Sequence, residues 1–94
     1  MVKSIQSGEK QQNRVSGRML TPAQCRAARA LLAWTQQQLA DQARVGVQTI
    51  RLLEGGHTIP RRATLQVIQR AFEQAGVDLI GPGDGGVGVR FRER

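Results

Sequence analysis

The chain has 94 residues, with 14 Lys and Arg against 7 Asp and Glu, for a formal net charge of +7. A chain this short supports one core, which excludes a catalytic cleft between two lobes, and the positive excess, 12 arginines included, calls for a partner of dense negative charge. No run approaches the roughly 18 apolar residues of a membrane span, no apolar segment follows the N-terminal lysines, and a lone Cys25 cannot build a disulfide framework, so no membrane partner and a cytoplasmic location are expected.

Residues 1–18 carry no sustained hydrophobic period and are rich in Gln, Ser, Gly and basic residues. They are predicted to form a flexible N-terminal arm, either idle or lying along a phosphate backbone. The apolar residues gather beyond Met19, and residues 19–76 are predicted to form the folded domain. Thr21-Pro22-Ala23-Gln24 offers an N-cap hydroxyl, a proline at the first helical position and a glutamine placed to close a capping box. A first helix is therefore expected from Thr21 to about Leu32, with Cys25, Ala28 and Leu32 on its inward face and Leu31 beside them.

Thr35-Gln36-Gln37-Gln38 repeats the capping pattern, so a second, short helix is expected over 36–43 with Leu39, Ala40 and Ala43 buried. Arg44-Val45-Gly46 is too short to lead anywhere except into an adjacent helix, expected over 47–54. In that third helix Ile50 and Leu53 point inward, while Val47, Gln48, Arg51 and Leu52 lie around the exposed side. Gly55-Gly56 stops it, and residues 57–60 link to a fourth helix entered through Arg61-Arg62. Leu65, Ile68 and Phe72, flanked by Val67 and Ala71, close the core, and Gly76 ends the helix. In the tail, 77–94, the period changes to two on either side of GPGDGG, which predicts two short strands.

Two short helices joined by a three-residue turn and flanked by helices that complete a core form the unit whose second helix fits the major groove of duplex DNA. The third helix carries suitable groups for that groove. Gln48 can pair its amide with adenine, Val47 can meet a thymine methyl, and Arg51 can reach phosphate or guanine.

With these residues in view, positions 20–80 resemble the phage-repressor and Cro-like (Xre-type) helix-turn-helix family, most closely in TQQQLADQARVGVQTIRLLEGG, Thr35 to Gly56. The resemblance implies an all-α, four-helix, lambda-repressor-like domain, here with a short C-terminal β-hairpin or strand pair. It implies a phosphate contact for Gln36, base edges facing Gly46, Val47 and Gln48, with Leu52 joining them, phosphate contacts from Arg61 and Arg62, and an ion pair between Arg29 and Glu54. Members of the family are commonly dimeric repressors or regulators, and some are antitoxins. Three positions depart from the family pattern: Arg44 stands where Gly is usual, Gly46 where a Ser or Thr cap is usual, and Leu52 where polar groups are common. Leu52 can read thymine methyls, pack on a partner or be buried.

The remaining reactive residues carry structural expectations. Trp34, at the corner between the first two helices, reads as a lid on the core rather than a stacking platform, while His57 reads as a solvated linker residue and Cys25 as an inert buried thiol, because neither has a second nucleophile, base or metal ligand at a working spacing. GPGDGG lacks the Lys-Ser/Thr ending and following helix of a nucleotide loop. No cofactor and no enzyme activity are expected. The expected function is a sequence-specific regulator of transcription, a repressor, that binds double-stranded DNA as a homodimer and is nucleoid-associated when bound. The alternative is an antitoxin or other module that neutralises a protein partner. Val87, Val89 and Phe91 share one side of the last strand, with Leu79 and Ile80 near, and this apolar patch suits either a subunit interface or a hairpin folded back on the first helix.

Overall fold

A computed structural model describes residues 20–81 and 86–92. The arm expected over 1–18 and the middle of the Gly-rich loop, 82–85, lie outside the described residues. In chain order come α1 (Pro22–Leu32), α2 (Gln36–Ala43), α3 (Val47–Gly55), α4 (Arg62–Gln74), β1 (Val77–Ile80) and β2 (Gly88–Phe91).

The helix starts follow from their caps. Thr21 Oγ1 accepts from Gln24 N at 3.1 Å while Gln24 Oε1 accepts from Thr21 N at 3.0 Å, and Thr35 and Gln38 repeat this reciprocal pair at 3.0 and 2.8 Å. Each box satisfies two backbone donors that a helix start would otherwise leave to solvent. α1 ends at Ala33 and α2 at Arg44, both left-handed, with φ of 56° and 60°. For a residue with a side chain this conformation costs about 1 to 2 kcal/mol. The turn tolerates it at Arg44 because the cap N–H reaches the carbonyls of Ala40 and Asp41 and the next residue, Val45, donates to Ala40 O at 3.0 Å. Gly56, at φ 74°, stops α3 without that cost.

The helices enclose Leu39, Ile50, Ile68, Phe72 and Cys25, all fully buried, and Trp34 lies over Phe72 with ring centroids 6.0 Å apart. Two expectations need correction. Leu31 is exposed, whereas Leu32 packs against the core, because α1 turns its inward arc toward Gln24, Cys25 and Ala28 and leaves Leu31 at the margin. Val47 is half-buried and packs against the core instead of standing on the open side of α3.

β1 and β2 pair antiparallel with Val77 opposite Phe91 and Leu79 opposite Val89. β1 lies against α4 and β2 against α1. Val77 is fully buried, and Leu79 and Val89 pack on the core, so one face of the hairpin extends the hydrophobic interior. The buried Gln24 fastens it. Its Nε2 donates to Ile80 O at 2.9 Å and Gly88 O at 3.0 Å, so one amide caps α1 with its oxygen and holds both strands with its nitrogen.

Candidate nucleic-acid interface

α3 is anchored at its C-terminal end by one carboxylate. Glu54 is only 6% exposed, and a buried carboxylate is tolerable only when its oxygens are paired. Arg29 donates to it twice, Nε to Oε2 and Nη2 to Oε1, each at 2.7 Å, a two-point ion pair joining α1 to α3. Cys25 Sγ–H donates to Oε2 at 3.1 Å, and Gln36 Nε2, from the first turn of α2, donates to Oε1 at 3.1 Å. Arg26 donates to the Glu54 backbone carbonyl, and Arg29 Nη1 donates to Trp34 O at 3.0 Å. α1 and α2 thus converge on Glu54 of α3, and Arg29 ties in the corner between α1 and α2 through Trp34 O.

Charge states follow this geometry. Burial pushes the Glu54 carboxyl upward, but the hydrogen bonds from Arg29, Cys25 and Gln36 outweigh it and hold the group below the ordinary carboxylate range. Burial, reinforced by the hydrogen bond to Glu54, pushes the Cys25 thiol far above its usual value. A protonated, enclosed thiol is a donor here and no nucleophile. Arg29 is raised by its bond to Glu54.

The other end of α3 is open. Gly46 makes no side-chain cap bond, and it is exposed along with Gln48, Arg51 and Leu52, the last at 37%. The loop after α3 carries the exposed Arg61 to the start of α4, where Arg62 is exposed too. Among the described residues, Arg51, Arg61 and Arg62 form no ion pair, and all three are exposed. Gln36 is half-buried with its amide turned to Glu54, which leaves the backbone N–H groups at the α2 start as the better anion donors there. His57 is exposed in the loop. Among the described residues, no group of three His, Cys, Asp or Glu is placed to hold a metal ion, and no helix is long and apolar enough to cross a membrane.

The sequence reading missed the Cys25 and Arg26 contacts to Glu54 and the second role of Gln24. A signal for the first was present. Cys25, Arg26 and Arg29 fall within about 100° of one another around α1, the side that meets α3.

The helix-turn-helix family profile matches residues 26–76, more than half of the chain, and the chain belongs to that family. No curated protein matches it. Membership supports DNA-binding regulatory function in general, through the α2–turn–α3 unit described above.

Proposed function

We propose that this protein is a sequence-specific, double-stranded DNA-binding regulator of transcription, a repressor of the lambda-repressor-like type, acting as a homodimer in the cytoplasm on nucleoid DNA. The observation that carries the reading is the asymmetry of α3, whose C-terminal end is anchored in the core at Glu54 while Gly46, Gln48, Arg51 and Leu52 stand exposed. A helix held this way can enter the roughly 12 Å major groove without losing its own packing.

In this mechanism Gln48 reads a base edge through its amide, and Leu52 offers its exposed carbons to a thymine methyl. Val47 contributes the part of its surface that the core leaves uncovered. Arg51 reaches guanine or a flanking phosphate. Gly46 lets the backbone approach, since a Cβ built there meets nothing within 4 Å and the position is open. Arg61 and Arg62, together with the α2 start at Gln36, neutralise backbone phosphates and set the register without reading sequence. Two copies bring two such helices to half-sites about 34 to 36 Å apart, and the linkage raises the effective concentration of the second helix.

Selection of bound duplexes from a randomised pool at about 0.15 M salt tests the reading, salt being stated because phosphate contacts make affinity steeply dependent on it. The expected result is a pseudo-palindromic consensus. A pool that emerges without sequence preference overturns the proposal.

A further inference from the structure

We propose that β2 pairs antiparallel with β2 of a second copy about a two-fold axis at Val89, giving a four-stranded sheet β1-β2-β2-β1, with a stripe of alanines on α1 covered by its counterpart. This rests on the homodimer reading above and names its interface.

The first observation is the direction of the backbone groups on β2. Arg92 N donates to Gly76 O at 2.7 Å, so these two residues face each other as a hydrogen-bonded pair one step beyond the ladder. Antiparallel pairs alternate, which makes Asp78–Arg90 and Ile80–Gly88 hydrogen-bonded and Val77–Phe91 and Leu79–Val89 not. The N–H and C=O groups of Val89 and Phe91 therefore point outward from the edge of β2 that β1 does not occupy. Among the described residues nothing pairs with that edge, since the sheet has two strands only. Val87 and Phe91, on either side of Val89, are 50% and 53% exposed. An edge with unpaired groups and open apolar side chains is a template for another strand.

The second observation is on α1. Turning round that helix from Gln24, whose amide holds the hairpin, the next side chains at 100° per residue are Leu31, Ala27, Ala23 and Ala30. All four are apolar, and all but the half-buried Ala27 are exposed. Because β2 lies against α1 and Gln24 of that helix holds both strands, this stripe borders the side of α1 that meets the hairpin. Small side chains permit two helices to approach closely under the joined strands.

Self-pairing also bears on charge, and of the axes at Val89, Arg90 and Phe91 only the first keeps like charges apart. With the axis at Val89, Val87 lies opposite Phe91 of the second copy and Arg90 lies opposite Gly88. With the axis at Arg90, the two Arg90 side chains face each other. With the axis at Phe91, Arg90 faces Arg92. Like charges directly opposite are destabilising, so the outward-pointing groups, the apolar match and the charges agree on Val89.

Light scattering and sedimentation of the full chain at micromolar concentration are expected to give twice the subunit mass. Val87→Cys subunits mixed with Phe91→Cys subunits and oxidised are expected to form a covalent dimer, since the paired Cα atoms would stand about 5.5 Å apart, within disulfide reach. Either variant alone is expected to cross-link poorly, its two thiols being offset by roughly 13 Å along the strands. Cys25 is fully buried, which leaves the introduced thiols as the accessible ones. Ala30→Arg, at an exposed helix position, is expected to raise the dimer dissociation constant by about tenfold, equivalent to about 1.4 kcal/mol, with an unchanged circular dichroism spectrum. A monomer overturns the homodimer and this interface together. A dimer that neither cross-links between 87 and 91 nor responds to Ala30→Arg overturns the interface alone. Cross-linking of Val89→Cys to Phe91→Cys places the axis at Arg90 and overturns the register.

Discussion

The two ends of α3 are built on opposite principles. At Glu54 the side chain is satisfied by donors from Arg29, Cys25 and Gln36, and its backbone carbonyl is held by Arg26. At Gly46 there is no side-chain cap at all, although α1 and α2 of the same protein both begin with complete capping boxes. The anchored end gives α3 a defined direction, and the open end keeps backbone donors and exposed side chains available to a ligand. A helix with both ends satisfied would be more stable and would leave fewer groups open to a ligand.

The largest effect that tests this contrast is at the anchored end. Glu54→Ala leaves Arg29 and the Cys25 thiol without their acceptor in a closed site, and urea unfolding is expected to show a loss of about 2 to 4 kcal/mol. A loss under about 0.5 kcal/mol would mean that the carboxylate is not an anchor. Acid sharpens the same point. Because the Glu54 carboxyl is held below its ordinary range in the folded protein, its contribution is fully present above the unfolded value of about 4.3 and disappears as pH falls through the folded one. Glu54→Gln is therefore expected to lose stability less steeply than the parent as pH falls below about 5, from a lower starting stability at neutral pH.

At the open end the expected effects are on DNA and not on folding. Gln48→Ala is expected to weaken the cognate duplex by about 1 to 3 kcal/mol and to flatten discrimination between bases, with unfolding unchanged. Arg62→Ala is expected to weaken cognate and random duplexes alike and to reduce the slope of log affinity against log salt by about 0.9. Gel shifts over a salt series separate the two roles. If Arg62→Ala altered base preference and Gln48→Ala did not, α3 would not be the reading helix.

What could be read in the amino-acid sequence was the local grammar. Thr21 with Gln24 and Thr35 with Gln38 mark helix starts by a hydrogen-bond pair spanning three residues, and the spacing of Leu65, Ile68 and Phe72 marks an inward face. The exposed positions of α3 followed from the same periodicity, except Val47, which packs against the core. Contacts between distant residues left no such trace. Gln24 reaches carbonyls 56 and 64 positions away, and the cap explains that glutamine without them. Cys25 is a small inward residue on any helical wheel, and only the packing of α1 on α3 gives its thiol a carboxylate to donate to. Leu31 shows the converse, since its neighbours fill the inward arc of α1 and periodicity alone does not say where that arc ends.

The smallest expected effect probes the open end without removing anything. Gly46 has ordinary extended backbone, φ −71° and ψ 146°, and an added Cβ there meets no atom within 4 Å, so a serine fits without strain. Its hydroxyl could accept from an N–H in the first turn of α3, as Thr21 and Thr35 do for α1 and α2, for a gain of a few tenths of a kcal/mol. In a domain of this size that is a rise in melting temperature of about 1 to 3 °C for Gly46→Ser. The gain would come from backbone donors now left open, so the contrast between the ends of α3 predicts a stabler protein from one added hydroxyl. A melting temperature that stayed constant or fell would mean that the start of α3 is already satisfied, and that its open end does not hold donors in reserve for DNA.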